Sequence, residues 1–152
     1  MSSGRSKNSD HDQSPKFLTL GGNPVLDFCN TLLIHNGRRD DRLLTARDAQ
    51  SFFTVFFRQK LSLTKKQFST ILHLRFCFRD YFSSVVQKKP NIGSGSPLAD
   101  FLESVKLVLE WNTKDKTFSK LSVVDNKGKY LQPIISEFFE FNRNFHIERI
   151  RE

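Results

Sequence analysis

Sixteen of the 152 residues are phenylalanine, and most of them fall on apolar stripes at helical spacing. Residues three or four positions apart share one face of an α-helix, which can then be buried. The clearest stripe combines Ala49 with four phenylalanines: Phe52, Phe53, Phe56 and Phe57. A second segment, expected to be helical over about 64–87, is apolar around most of its circumference and therefore predicts a central helix. The phenylalanines thus predict a mainly helical core.

Helix starts carry recognisable signals. In a capping box, a Ser or Thr N-cap and the side chain three residues later each bond to the other's backbone, and proline suits the first helical position. Five segments carry such a signal: Asn23-Pro24, Thr45 with Asp48, Thr64 with Gln67, Ser96-Pro97 and Pro133. We expect the first helix to end by Asn36-Gly37, and the helix after Ser96 to end near Trp111-Asn112.

Two places predict β structure. Residues 17–20 are typical of a short strand that is stopped by Gly21-Gly22. Over 117–131 apolar residues alternate with polar ones on either side of a turn at 125–128, which predicts a β-hairpin. Gly128 is free to take a positive φ in that turn.

The remaining segments are polar. Residues 1–15 predict a disordered tail, 37–44 a charged loop, and 88–96 a flexible connection rich in Gly, Ser and Pro. The predicted fold class is α+β, mainly α. It consists of one helical domain over 16–152 with a short N-terminal strand and a β-hairpin before the last helix.

The net charge of +8 is confined to one region. Residues 38–89 carry twelve Lys or Arg and four Asp, and 12 − 4 accounts for the whole surplus. Such a surface attracts nucleic acid or acidic partners, although it can equally be a solvated helix face. The residues predicted to contact nucleic acid, with DNA as the partner, are Arg38, Arg39, Arg42, Lys65 and Lys66, followed by Lys88 and Lys89. The phenylalanines lie on apolar stripes, which does not favour stacking on single strands.

The sequence offers no constellation for catalysis or metal binding. Of the four histidines, His73 has Cys77 one helical turn away, and a buried structural cysteine is the simpler interpretation of that pair. Motifs for an activated nucleophile or a phosphate loop are absent. We therefore expect no enzyme activity, no metal and no cofactor. Without a spanning apolar run or a signal sequence, a cytoplasmic protein with no membrane partner is expected.

The segment LDFCNT (26–31) places Asp27, Asn30 and Thr31 on one face of the first predicted helix. Polar side chains beside apolar ones can line a small-molecule pocket. Alternatively, Asp27 favours the positive end of the helix dipole, and Asn30 holds the neighbouring loop.

Arg75 and Arg79 lie one turn apart on the helix predicted to be most buried. A buried guanidinium must be paired or must meet an anionic ligand. An internal salt bridge is expected, with Asp27 or Asp80 as the partner. A ligand is the alternative for Arg75.

Three segments in this order resemble the ABATE domain: LGGNPVLDFCNTL (20–32), LLTARDAQSFF (43–53) and LRFCFRDYF (74–82). The positions that match the family motif are Gly21, Gly22, Asp27, Phe28, Asn30 and Thr31, and more loosely Leu74 and Arg75. The ending ERIRE (148–152) resembles the point at which this domain hands over to a CGNR zinc finger.

The resemblance implies a stress-induced bacterial transcription regulator, with a regulatory domain followed by a zinc-binding, DNA-contacting module. The sequence stops at Glu152, before the zinc ligands of that module. We therefore expect a ligand-sensing domain without its zinc finger, with an unknown small ligand near Asp27, Asn30, Thr31 and Arg75. The alternative is a stand-alone nucleic-acid- or protein-binding module that uses the basic region 38–89.

The last helix is expected to connect the domain to the DNA-reading module. Without that module, apolar side chains near its end become exposed, and exposed apolar patches usually become interfaces. The side chains concerned are Phe145, Ile147 and Ile150. Self-association, with a homodimer as one form, is therefore predicted.

Overall fold

The computed structural model describes residues 16–19, 22–88, 96–114 and 116–151 of the chain. It is mainly α-helical, with two small antiparallel sheets, as the predicted fold class requires. The elements in chain order are α1 (Pro24–Cys29), β1 (Leu32–His35), β2 (Arg38–Asp41), α2 (Ala46–Phe57), α3 (Lys65–Val86), α4 (Pro97–Ser104), β3 (Leu107–Asn112), β4 (Thr117–Val123), the 3-10 helix η1 (Asn126–Leu131) and α5 (Gln132–Arg151).

The predicted N-caps are confirmed at four helices. The Asn23 side chain accepts the amide N–H of Val25 at the start of α1. Thr45 with Asp48, and Thr64 with Gln67, form complete capping boxes at α2 and α3. The Ser96 side chain caps α4 by accepting the amide N–H of Ala99 at 3.2 Å. These starts are set locally, because each cap satisfies amides that the helix itself leaves unpaired.

The core lies around α3, which packs against α1, α2 and α4. The ring of Phe28 on α1 lies 5.5 Å from Phe52 and 6.2 Å from Phe78, measured between centroids. Phe78 also stacks on Phe138 of α5 at 4.5 Å. The rings therefore join four helices in one apolar cluster. The prediction that α3 is apolar nearly all round is wrong at Phe76, which is 56% exposed.

The N-terminal β structure is a hairpin, and the prediction of a strand over 17–20 is wrong. Residues 16–19 form no strand, and Leu20 lies outside the described residues. Phe17 is instead a buried ring against Phe52, 5.3 Å between centroids.

The prediction that the first helix continues to Asn36-Gly37 is also wrong. Helix α1 ends at Cys29, and β1 pairs with β2 in the register Leu32↔Asp41 and His35↔Arg38. Asn36 and Gly37 have φ values of 49° and 74° in the connecting turn. Positive φ at both central residues is the two-residue hairpin geometry that Asn-Gly favours. The segment 37–44, predicted to be a charged loop, therefore contains the strand β2.

The second hairpin lies before α5 as predicted, but it uses different residues. Helix α4 ends at Ser104, and the segment expected to continue it is β3, paired with β4 from Leu107↔Val123 to Asn112↔Thr117. The predicted turn at 125–128 is the start of η1, where Gly128 does not have a positive φ. A β-carbon there would lie 3.2 Å from Val123 Cγ1, so the glycine allows the Val123 side chain to pack closely against the backbone of η1.

Several predictions fall outside the described part of the structure. They concern the tail over 1–15, most of the connection at 89–95, and the side chains of 144–151, including Phe145, Ile147 and Ile150. Self-association therefore stays a prediction. In the described segments, no helix combines the length and apolarity needed to cross a bilayer.

Replacing Phe78 with alanine is expected to lower the free energy of unfolding by about 3–5 kcal/mol, because a fully buried ring is lost from the cluster. Phe76→Ala removes an exposed ring from the same helix and should change that free energy by less than about 1 kcal/mol. Urea unfolding of both variants measures the difference. Equal losses at the two positions would contradict the placement of the core.

Candidate functional site

Arg75 lies in the middle of α3 and is only 3% exposed. Its Nη1 and Nη2 donate to Oδ1 and Oδ2 of Asp41 at 2.8 and 2.9 Å, and Nη1 also donates to Thr31 Oγ1 at 3.0 Å. The predicted internal salt bridge is confirmed at Arg75, whereas Arg79 donates to backbone carbonyls instead. The partner of Arg75 is Asp41 rather than Asp27 or Asp80, because β2 ends at Asp41 and brings that carboxylate to α3.

A second arginine fixes the chain between α1 and β1. Arg79 Nη1 donates to the carbonyl oxygens of Cys29 at 2.8 Å and Leu32 at 2.6 Å. The Thr31 hydroxyl donates to the Phe28 carbonyl at 2.6 Å. Carbonyls at a helix end need such partners because the helix no longer supplies them. Both arginines of α3 thus hold the base of the hairpin.

The structure brings together two of the four predicted ligand residues, Thr31 and Arg75. The prediction that Asp27, Asn30 and Thr31 share a helical face is wrong, since α1 ends at Cys29. Asp27 is 5% exposed and Thr31 is 3% exposed, while Asn30 is half-buried as the C-cap of α1. Ligand binding by these residues stays a prediction, and their burial fits a framework role better.

The pKa of Asp41 reflects two opposing effects. Burial alone would raise it, but hydrogen bonds from the Arg75 side chain and the Leu43 amide, together with the charge of Arg75, hold the pKa below its usual value. Asp41 therefore stays ionised in the folded protein, and the pair remains a salt bridge over the neutral pH range.

The two cysteines are not activated as nucleophiles. Burial raises the pKa of the Cys29 thiol to about 12, although the charges of Arg79 and Arg75 act in the opposite direction. Burial and the charge of Asp80 raise the pKa of Cys77 as well. A thiol is reactive mainly as the thiolate, which these environments disfavour. In the described segments no three His, Cys, Asp or Glu side chains form a group that could hold a metal ion.

The residues predicted to contact nucleic acid fall into two groups. On the hairpin, Arg38 is exposed, whereas Arg39 pairs with Asp41 and Arg42 pairs with Asp40. The second group is Lys65 and Lys66, which are exposed in the first turn of α3. The hairpin contacts α3 at Arg75, which lies ten residues, or about 15 Å, beyond Lys65 along the helix. The two groups are therefore separated along α3. Lys88 is exposed, and Lys89 lies outside the described residues.

A cleft of about 470 Å³ lies between α3, α4 and η1. Its apolar surface includes the buried side chains of Phe101 and Leu131. Its other lining residues are Thr64, Lys66, Gln67, Thr70, Ser104, Val105, Lys106, Asp125, Lys127, Gly128 and Tyr130. We call this space the lysine cleft. Sequence reasoning missed it because its walls come from three separate segments, and Lys66 alone was among the predicted contact residues.

Hydroxyl groups add hydrogen-bonding capacity to the lysine cleft. Burial raises the pKa of Tyr130, although a hydrogen bond with Thr70 acts in the opposite direction. The phenol therefore keeps its proton and can donate. Asp125 has a structural task, because its Oδ1 accepts the backbone N–H of Lys127 at 3.0 Å and caps η1.

A second cleft of about 280 Å³ lies between α3, α4 and α5. It is lined mainly by apolar side chains, among them Leu98, Leu102 and Phe138. Its polar groups include Tyr81, whose hydroxyl already donates to Asn142 Oδ1 at 2.9 Å. It therefore offers less hydrogen bonding to a ligand than the lysine cleft.

No family model, no curated protein and no solved structure matches the chain. The resemblance to the ABATE domain therefore rests on the three sequence segments.

Asp41→Asn is expected to lower the free energy of unfolding at neutral pH by about 3 kcal/mol, because Arg75 would stay buried beside a neutral partner. The adjacent Asp40→Asn is a matched control. It removes an exposed ion pair with Arg42 and should cost at most about 1 kcal/mol. Urea unfolding of the two variants checks the comparison, and a similar cost for both would argue against a structural role of the buried pair.

The stability cost of Asp41→Asn is expected to depend on pH. Because the folded pKa of Asp41 is lowered, its stabilisation is fully present above the unfolded pKa of about 3.9 and is lost as the pH falls through the folded value. The stability difference between the unaltered chain and Asp41→Asn should therefore shrink on acidification from about pH 6 to about pH 3. A constant difference over that range would mean that ionised Asp41 is not its source.

Proposed function

We propose that the chain is the ligand-sensing regulatory domain of a bacterial transcription regulator of the ABATE type, and that its small-molecule ligand binds in the lysine cleft. The observation that carries the proposal is the cleft itself. Polar groups from three elements converge there over an apolar floor, within the size range of ordinary ligand pockets. The resemblance of 20–32, 43–53 and 74–82 to the ABATE domain supplies the regulatory context and a cytoplasmic location.

We place the ligand site in this cleft because Arg75 and Thr31, which match the family motif, already make contacts that stabilise the fold. Arg75 directs both terminal nitrogens at Asp41, and Thr31 bridges Arg75 to the Phe28 carbonyl. A ligand at that position would have to replace a buried bidentate salt bridge. In the lysine cleft, by contrast, Lys66, Lys106 and Lys127 are exposed and can meet a ligand directly.

The connection from the cleft to the last helix is direct. Leu131 ends η1, and Gln132 begins α5. The Gln132 side chain is fixed to β4, since Nε2 donates to the Leu121 carbonyl at 2.7 Å and Oε1 accepts the amide N–H of Val123. Nε2 also donates to Ser136 Oγ at 2.7 Å, within α5.

Through these contacts, a ligand in the lysine cleft can affect the position of α5. A ligand in the cleft would contact Lys127, Tyr130 and Leu131, so it would favour one position of η1 and of the first turn of α5. A ligand shifts such an equilibrium by as much as its affinities for the two arrangements differ. In the family that the chain resembles, the DNA-contacting module follows this domain.

The alternative, direct binding of nucleic acid by the basic region 38–89, has less support. Arg39 and Arg42 are engaged with Asp41 and Asp40 on the hairpin itself. The remaining cations lie in separate places, with Arg38 on the hairpin and Lys65 at the start of α3.

A thermal-shift screen with small metabolites tests the proposed function. A ligand of the folded state raises apparent stability by mass action, by about 2.7 kcal/mol at a concentration one hundred times Kd. Ser104→Trp places a large ring in the lysine cleft and should abolish the shift. Ser83→Trp is the matched control, because Ser83 is exposed on α3 and does not line the cleft.

The melting temperatures of both free variants are compared first, since the Ser104 hydroxyl donates to the Phe101 carbonyl at 2.6 Å. The expected result is a compound that stabilises the unaltered chain and Ser83→Trp but not Ser104→Trp. A screen with no stabiliser, or one whose hits stabilise Ser104→Trp equally, would contradict ligand sensing in this cleft.

A further inference from the structure

Three lysines from three elements line the same cleft. Lys66 lies in the first turn of α3, Lys106 follows α4, and Lys127 belongs to η1. None of them makes an ion pair in the described part of the chain. Asp125 is the carboxylate of the lining, and it accepts the backbone N–H of Lys127.

The charge of the lining follows from this composition. Three lysines and one aspartate give 3 − 1 = +2. A concave surface of one sign between low-dielectric walls focuses its field and concentrates ions of the opposite sign. The start of α3 lies at the same rim through Thr64 and Lys66, and the dipole of that helix adds partial positive charge. An anion with two negative charges neutralises the lining.

The floor of the cleft has a different character. Phe101 and Leu131 are buried there, and Val105 is half-buried beside them. The Tyr130 ring is half-buried as well, and its hydroxyl can donate a hydrogen bond. Phe101 and Leu131 are already shielded from water, so the apolar surface that stays open comes from half-buried side chains such as Val105 and Tyr130. A ligand that consisted of charge alone would leave that surface in contact with water, whereas a flat apolar group would cover it.

We infer that the ligand is a small molecule in which a doubly charged phosphate-type group is joined to a flat apolar body. The phosphate lies among Lys66, Lys106 and Lys127, where ammonium groups act as point charges. The body lies against Val105 and the Tyr130 ring, whose apolar surface is still open to water. This inference rests on the proposed function, because it names the ligand class of the same cleft.

A phosphate group can also come from a nucleic-acid backbone. The free small molecule is the better match, because the lysines surround a concavity of about 470 Å³ whose floor is apolar. A duplex backbone presents its phosphates along a convex surface and offers no flat apolar group to that floor. The two sources are separated by including DNA in the experiment.

The experiment measures the dissociation constants of three probes by calorimetric titration at low salt. Phenyl phosphate carries both features, inorganic phosphate lacks the ring, and benzoate has the ring with a single charge. Phenyl phosphate should bind most tightly, and its affinity should fall as salt screens the lysines.

Substitution of the lysines assigns the site. Lys66→Gln, Lys106→Gln and Lys127→Gln should each weaken phenyl phosphate binding by about twofold to fivefold. Lys65→Gln and Lys129→Gln are matched controls, because they remove the same charge from exposed neighbours that do not line the cleft. These controls should bind like the unaltered chain.

Three results would overturn the inference. Benzoate could bind as tightly as phenyl phosphate, or the control substitutions could weaken binding as much as the cleft substitutions. A short DNA duplex could bind with the same lysine dependence while phenyl phosphate does not, which would assign the cleft to backbone phosphate.

The experiments distinguish a failure of the phosphate inference from a failure of the proposed function. A neutral screening hit that is lost in Ser104→Trp, with no binding of phenyl phosphate, would remove the phosphate inference and leave ligand sensing in place. If neither the screen nor phenyl phosphate gives binding in the cleft, both proposals fail.

Discussion

The buried salt bridge between Arg75 and Asp41 is the interaction on which the N-terminal half of the fold depends. A guanidinium in the middle of α3 is strongly unfavourable without a partner, since breaking a buried pair costs about 3–5 kcal/mol. Asp41 can reach it only at the end of β2, so the pair requires the β1–β2 hairpin to lie against α3. Thr31 and Arg79 then fix the start of that hairpin. The central helix and the hairpin thus depend on each other.

Local signals were readable from the sequence, and contacts between distant segments were not. The caps at Thr45 and Thr64 were correct because each involves residues three positions apart. The run at 32–35 is short and apolar and fits either the helix or the strand period, and the Asn36-Gly37 turn is the signal that distinguishes a hairpin from a helix there. Without β2, nothing in the sequence brings Asp41 to Arg75.

The candidate site was even less visible in the sequence. The lysine cleft combines the start of α3, the end of α4 and η1, and no periodicity links segments so far apart. The motif that resembles the ABATE domain instead marks residues such as Thr31 and Arg75, which stabilise the framework. A fold and its function are separable in this way, since a site is formed by the surfaces that a stable framework brings together. Here η1 connects those surfaces to α5 without an intervening loop.

Mapping backbone amide shifts by two-dimensional NMR during a titration with phenyl phosphate tests most directly whether the lysine cleft is the ligand site. The structure predicts the largest shifts at Lys66, at Lys106 and over 127–131, extending into Gln132 at the start of α5. Shifts concentrated instead over 30–42, in the hairpin and the motif that precedes it, would contradict the placement of the site.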